Sequence, residues 1–184
     1  NTAENFAVVS LELGGKSPIL VFDDADLEGA VNGIIAGNFG ATGQSCVAGS
    51  RVFIQSGIRQ QVLDKLVERA AQICIGDPLA DATQVGPLCT RAQLDHISES
   101  VDDAVQEGAT LLYGGKRPEG FDSGWYYTPT ILDCPHQRLA DPADRRGRET
   151  RAAAVVERLD GAEHAGGEFL EQVGSGHLLP AQPF

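Results

Sequence analysis

One cysteine stands where a folded core would want bulk. In NFGATGQSCVAGSR, residues 38–51, Cys46 is surrounded by glycines, alanines, serines and a threonine. Neighbours this small leave room for a carbonyl carbon to come within bonding distance of sulfur, and backbone N–H groups nearby can stabilise the oxyanion that addition creates. The segment follows a glycine-rich break, and VAGSR after the cysteine is able to make one helical turn whose exposed N–H groups would favour thiolate, the nucleophilic form. The alternative is a small apolar residue packed beside a glycine turn, the commoner fate of a lone cysteine.

A second segment offers a carboxylate. SLELGGKSP, residues 10–18, ends an apolar run at Glu12 and follows Leu13 with Gly14 and Gly15. The paired glycines let the backbone come close to something flat, a cofactor ring or another chain. At the end of a buried strand in an α/β sheet, Glu12 would point to the crevice where such folds take ligands, and partial burial would fit it for base duty. A surface carboxylate beside Lys16 is the competing reading.

The remaining reactive groups carry less. Cysteines 74, 89 and 134 form no C-x-x-C pair with each other or with Cys46, so no metal site is expected. Cys74, in AAQICIG, reads as a small buried hydrophobe, and Cys89 and Cys134 fall in predicted loops. His96 is placed on a solvated helix face, which makes a cysteine hydrolase with its own histidine partner the weakest of the readings.

These groups need a scaffold, and the chain predicts one. VVSLEL and PILVF read as buried strands. Asp26 caps a helix from Leu27 that Gly40 and Gly43 break, SRVFIQ is a third strand, and IRQQVLDKLVERAAQICIG is an amphipathic helix closed by Gly76. TRAQLDHISESVDDAVQEG is a helix capped by Thr90 and closed by Gly108; ATLLYGG and YYTPTIL are short strands. The alternation implies an α/β fold, a largely parallel sheet flanked by helices, over residues 1–134. Beyond Cys134 the rhythm stops. Residues 135–184 hold six of the eleven arginines and no lysine, isoleucine, tyrosine or tryptophan, so they read as a divergent, poorly ordered tail in which RETRAAAVVERL could form an isolated helix.

Composition narrows the function class. A chain of 184 residues with 42% apolar content can bury one core. A net charge of −12 disfavours nucleic acid and anionic membrane surfaces, whose phosphates would be repelled. With neither a signal pattern nor an apolar run of membrane-spanning length, the chain is expected to be cytoplasmic, with free thiols.

Together the two segments are far more specific than either alone. LELGGKSP, followed 34 residues after its glutamate by the cysteine of FGATGQSCVAGSR, resembles the catalytic core of the aldehyde dehydrogenase superfamily. The resemblance runs from about residue 5 to about residue 134, through FDDADLEGAV, the GDPL and VGPL loop, and GATLLYGGKRP with GWYYTPTIL. It implies that Cys46 attacks a small-molecule aldehyde to give a thiohemiacetal, that hydride passes to NAD or NADP, and that Glu12 activates the water that hydrolyses the thioester. It further implies that Leu13 and Gly14 lie near the nicotinamide, that Gly43 and Gln44 form the approach to the nucleophile, and that the Cys46 N–H is half of an oxyanion hole. No metal is implied.

The departures define a second reading. Family members are homo-oligomers of greater length, and the dinucleotide-binding region expected before LELGG, the EEIFGP-like motif expected soon after Cys134 and the oligomerisation segment do not appear; HQRLADPADRRG stands where EEIFGP belongs. The Lys-free tail has the composition that a shifted frame in GC-rich DNA would yield. The alternative to a dehydrogenase is therefore a catalytically incompetent remnant that keeps only a reactive thiol.

Overall fold

The computed structural model describes residues 7–11, 13–134 and 153–159. Its elements are β1 (Pro18–Val21), α1 (Leu27–Phe39), a 3-10 turn (Gly40–Gly43), β2 (Arg51–Gln55), α2 (Arg59–Ala71), α3 (Arg91–Gln106), β3 (Thr110–Tyr113), β4 (Thr130–Asp133) and β5 (Ala153–Leu159). The strands form one sheet in the order β1-β2-β5-β4-β3. Every pairing is parallel except β3 with β4. The architecture is the expected α/β layering with a largely parallel sheet.

Side-chain alternation along the strands explains the layers, since successive residues point to opposite faces. Val21, Val52, Ile54, Ile131 and Val156 pack on one face with Val31 and Ile34 of α1 and Val62, Leu66 and Ala70 of α2. Leu132 and Cys134 point the other way, into a second cluster with Leu94, Ile97, Val101 and Ala104 of α3. The helix starts follow from local chemistry. Asp26 accepts the Gly29 N–H at 3.1 Å, and Thr90 and Gln93 form a reciprocal capping box in which each backbone N–H donates to the other's side chain at 3.2 Å. Arg59, at the start of α2, pairs with Asp133 at the end of β4 and so ties helix to sheet.

Four expectations change. VVSLEL is not a strand in its described residues, and Val8, Leu11 and Leu13 are exposed, because no described strand pairs with the outer edge of β1. The second helix ends at Ala71 rather than near Gly76: Cys74 lies on an extended stretch whose carbonyl accepts the Gln84 and Val85 N–H groups, and its thiol side is exposed, not buried. Cys134 follows β4 outside any strand, as expected, and is buried there, its N–H donating to the Val156 carbonyl at 2.9 Å. RETRAAAVVERL forms no isolated helix in its described residues. Its Ala153–Leu159 stretch is a central strand, since the gap between β2 and β4 offers two ladders at once, and that outweighs the helical preference of alanine. The rest of the segment read as a tail lies outside the described residues.

Two measurements check this packing. Leu66, 1% exposed, lies in the core cluster shared by the sheet, α1 and α2; Leu66→Ala is expected to destabilise the chain by about 2–5 kcal/mol in urea denaturation. Burial pushes the Tyr127 phenol up to about 12 from 10.0, with Asp102 acting in the same direction and Ser98 against it. A raised folded-state value means that this stability is whole below the unfolded value and disappears as pH rises through about 12. Stability measured at increasing pH above neutrality is expected to fall less steeply in Tyr127→Phe, which also lacks the late-titrating phenolate in ultraviolet absorbance.

Candidate active site

The thiol loop begins where α1 stops. Gly40 closes the helix, with its N–H donating to the Ala36 carbonyl, and the chain then turns through three consecutive left-handed residues. Ala41 has φ 50°, Thr42 φ 59° and Gly43 φ 70°. Glycine adopts this region freely, whereas an alanine or a threonine there carries about 1–2 kcal/mol of strain. The Gln44 N–H closes the turn on the Ala41 carbonyl at 3.1 Å. A second turn follows, in which the Ala48 N–H donates to the Ser45 carbonyl at 3.1 Å, and Cys46 stands exposed within it.

This differs from the expected helical start. VAGSR makes no helix: Ala48, Gly49 and Ser50 are buried and lead into β2, with the Ser50 N–H donating to the Ala48 carbonyl at 2.9 Å and the Gly49 N–H donating back to Gly37 of α1 at 3.1 Å. The Val47 and Ala48 N–H groups are already engaged by Ser45. Among the described residues the Cys46 N–H meets no acceptor.

The carboxylate segment is stitched to this loop. A Cβ on Gly15 would lie 3.1 Å from the Cys46 carbonyl oxygen, so the backbone of the double-glycine motif rests directly on the nucleophile candidate's own peptide. The Arg51 guanidinium donates twice to the Lys16 carbonyl, at 2.7 and 3.1 Å, and fixes the segment to the start of β2. Gly49 packs so tightly on β1 that a Cβ there would fall 2.3 Å from Ile19 Cδ1. Leu13 and Gly14 are exposed beside this junction; Glu12 itself lies outside the described residues. Both segments precede their strands, so they meet at the amino-terminal ends of β1 and β2. The sequence placed Glu12 at the carboxyl end of a strand, where open α/β sheets usually bind ligands; the described residues of VVSLEL form no strand.

Other groups are set apart. His96 is half-buried on α3 with a shielded Nε2, not on a solvated face. Cys46, Cys74 and Cys89 are exposed free thiols, and Cys134 is the buried one. Among the described residues no cluster of three or more histidine, cysteine or acidic side chains could hold a metal ion, and no helix is long and apolar enough to cross a membrane. A wider surface cavity of about 360 Å³ lies between α3 and the loop bearing Arg117 and Trp125. Sequence reasoning missed one feature of the thiol loop. The Gln44 side-chain oxygen accepts the Cys89 N–H at 3.0 Å, a contact between residues 45 positions apart that no local pattern signals.

Comparison with known proteins places the chain in a family. The aldehyde dehydrogenase family model matches residues 1–140. A betaine aldehyde dehydrogenase of Brucella anthropi is 51% identical over 190 aligned positions, covering 97% of this chain and 39% of that protein. The (Z)-2-((N-methylformamido)methylene)-5-hydroxybutyrolactone dehydrogenase of Acinetobacter baylyi is 52% identical over 134 positions. The crystal structure of betaine aldehyde dehydrogenase from Staphylococcus aureus in complex with NAD+ superposes with a TM-score of 0.78 at 32% identity, covering 88% of this chain and 32% of that one. An aldehyde dehydrogenase from Bacillus cereus gives a TM-score of 0.79 over 93% of this chain. The chain thus spans about two-fifths of the length of the first of these relatives. With fold, motif order and sequence in agreement, the chain belongs to the aldehyde dehydrogenase family.

Proposed function

We propose that Cys46 is the nucleophile and Glu12 the general base of an NAD- or NADP-dependent oxidation of a small-molecule aldehyde to a carboxylate. The observation that carries the reading is the contact of Gly15, three residues after Glu12, with the Cys46 carbonyl. It joins two motifs distant in sequence beside an exposed thiol. The free thiols suit a reducing compartment, and the cytoplasm is the proposed location.

In this mechanism the Cys46 thiolate adds to the aldehyde carbon, and the carbonyl π pair moves onto oxygen. The oxyanion is met by the Cys46 N–H, which is not otherwise engaged among the described residues. Protonation of that oxygen gives the thiohemiacetal, and loss of hydride from its carbon with return of the hydroxyl proton to solvent gives a thioester on sulfur. NAD or NADP, when bound, supplies the hydride acceptor. Leu13, 72% exposed, and the exposed backbone of Gly14 would offer a surface for a flat ring. Glu12 then takes a proton from water, the water oxygen adds to the thioester carbonyl, the C–S bond breaks, and carboxylate leaves with the thiolate restored.

Ester hydrolysis tests the two residues without cofactor. With p-nitrophenyl acetate, Cys46→Ser is expected to lower the acylation rate on the order of 10²-fold or more, because a hydroxyl without a strong base is a far poorer nucleophile. Undiminished hydrolysis in that variant overturns the assignment. Glu12→Gln should still release one burst of nitrophenolate but stall before the next cycle; an unchanged steady-state rate removes Glu12 from the mechanism. Titration with NADH and NADPH, followed by dihydronicotinamide fluorescence, separates a dehydrogenase, which saturates, from a remnant retaining only the reactive thiol, which does not.

A further inference from the structure

We infer that Gln44 is a positioning residue for the Cys46 thiol, acting through its hydrogen bond to the loop that leads into α3. The inference rests on the reading of Cys46 as nucleophile, and Gln44 needs no contact with substrate to serve it.

The argument starts from the backbone. Ala41 and Thr42 hold a conformation that neither would keep alone, and a strained turn persists only where its surroundings over-determine it. Two restraints act on the residues that follow. On one side, the double-glycine segment rests against the Cys46 carbonyl, held there by Arg51 on Lys16. On the other, the Gln44 Oε1 accepts the Cys89 N–H at 3.0 Å.

The far end of that second bond is rigid. Cys89 lies between Leu88, which is 2% exposed and donates its N–H to the Trp125 carbonyl at 2.9 Å, and Thr90, the cap of α3. Gln44 therefore spans from the strained turn to an anchored helix start and leaves only one residue, Ser45, between itself and the nucleophile. Without this bond the left-handed turn can relax toward ordinary backbone geometry, and the direction in which the Cys46 side chain leaves its own turn changes with it. For a nucleophile carried on an exposed loop, orientation rather than intrinsic reactivity is what such a bond supplies.

The test uses the full chain and two variants of matched length. Gln44→Met keeps the size and removes the oxygen acceptor; Gln44→Glu keeps an oxygen in the same place. In rapid-mixing measurements with p-nitrophenyl acetate, Gln44→Met is expected to lower the acylation rate constant about tenfold while the burst amplitude and the KM stay near the parent values, and Gln44→Glu is expected to restore most of the rate. Misfolding would instead lower the amplitude and leave the rate constant of the surviving fraction unchanged. Amide hydrogen exchange gives a second readout that needs no reaction: Cys89 should lose protection in Gln44→Met and regain it in Gln44→Glu. A parent-like rate constant in Gln44→Met, loss of amplitude alone, equal rates in the two variants, or unchanged Cys89 protection overturns the inference. Failure of Cys46→Ser to abolish the burst overturns the nucleophile reading instead, so the two can fail separately.

Discussion

The sheet exists as one body because Ala153–Leu159 hydrogen-bonds on both sides. Without β5, the described strands would form two separate ladders, β1 with β2 and β3 with β4, joined only through the helices packed on them. With it, Val156 closes the cluster beneath α1 and α2, and the Cys134 N–H finds its acceptor on the same strand. Everything upstream is positioned through this ladder: β2 keeps its register against β5, and the thiol loop hangs from the start of β2.

The site is built on the edge of that scaffold and not inside it. Two connecting segments converge at the amino-terminal ends of adjacent parallel strands, joined by a guanidinium on a carbonyl and by backbone packed on backbone. Such contacts depend on glycine and on main-chain groups, so they fix geometry while leaving the space around sulfur open. That is the arrangement an approaching carbonyl needs. The strain at Ala41 and Thr42 fits the same pattern, since functional loops are where unfavourable backbone is tolerated.

Much of this was legible before any coordinates. Asp26 and Thr90 announced their helices through side chains that satisfy orphan N–H groups, and both caps form as expected. SRVFIQ and TLLY announced their strands through β-branched and apolar runs. The pairing of the glutamate and cysteine motifs was visible as chemistry and as a resemblance. What escaped was non-local. VVSLEL has the composition of a buried strand but no described partner, so pattern alone misassigned it. AAVVERL has two partners and became a strand despite its alanines. Cys74 is exposed rather than buried because its environment depends on where the helix ends. The bond from Gln44 to Cys89 joins loops that nothing in their local composition connects.

The packing of Gly49 under Ile19 has a bearing on how this fold can diversify. A larger residue at the first position requires the Ile19 side chain to turn aside or to shorten. A related chain with alanine after the thiol turn should carry a different rotamer or a shorter side chain on the neighbouring edge strand. The two positions form a size-complementary couple, and the freedom to reshape the rim around sulfur is set by how readily that couple changes together.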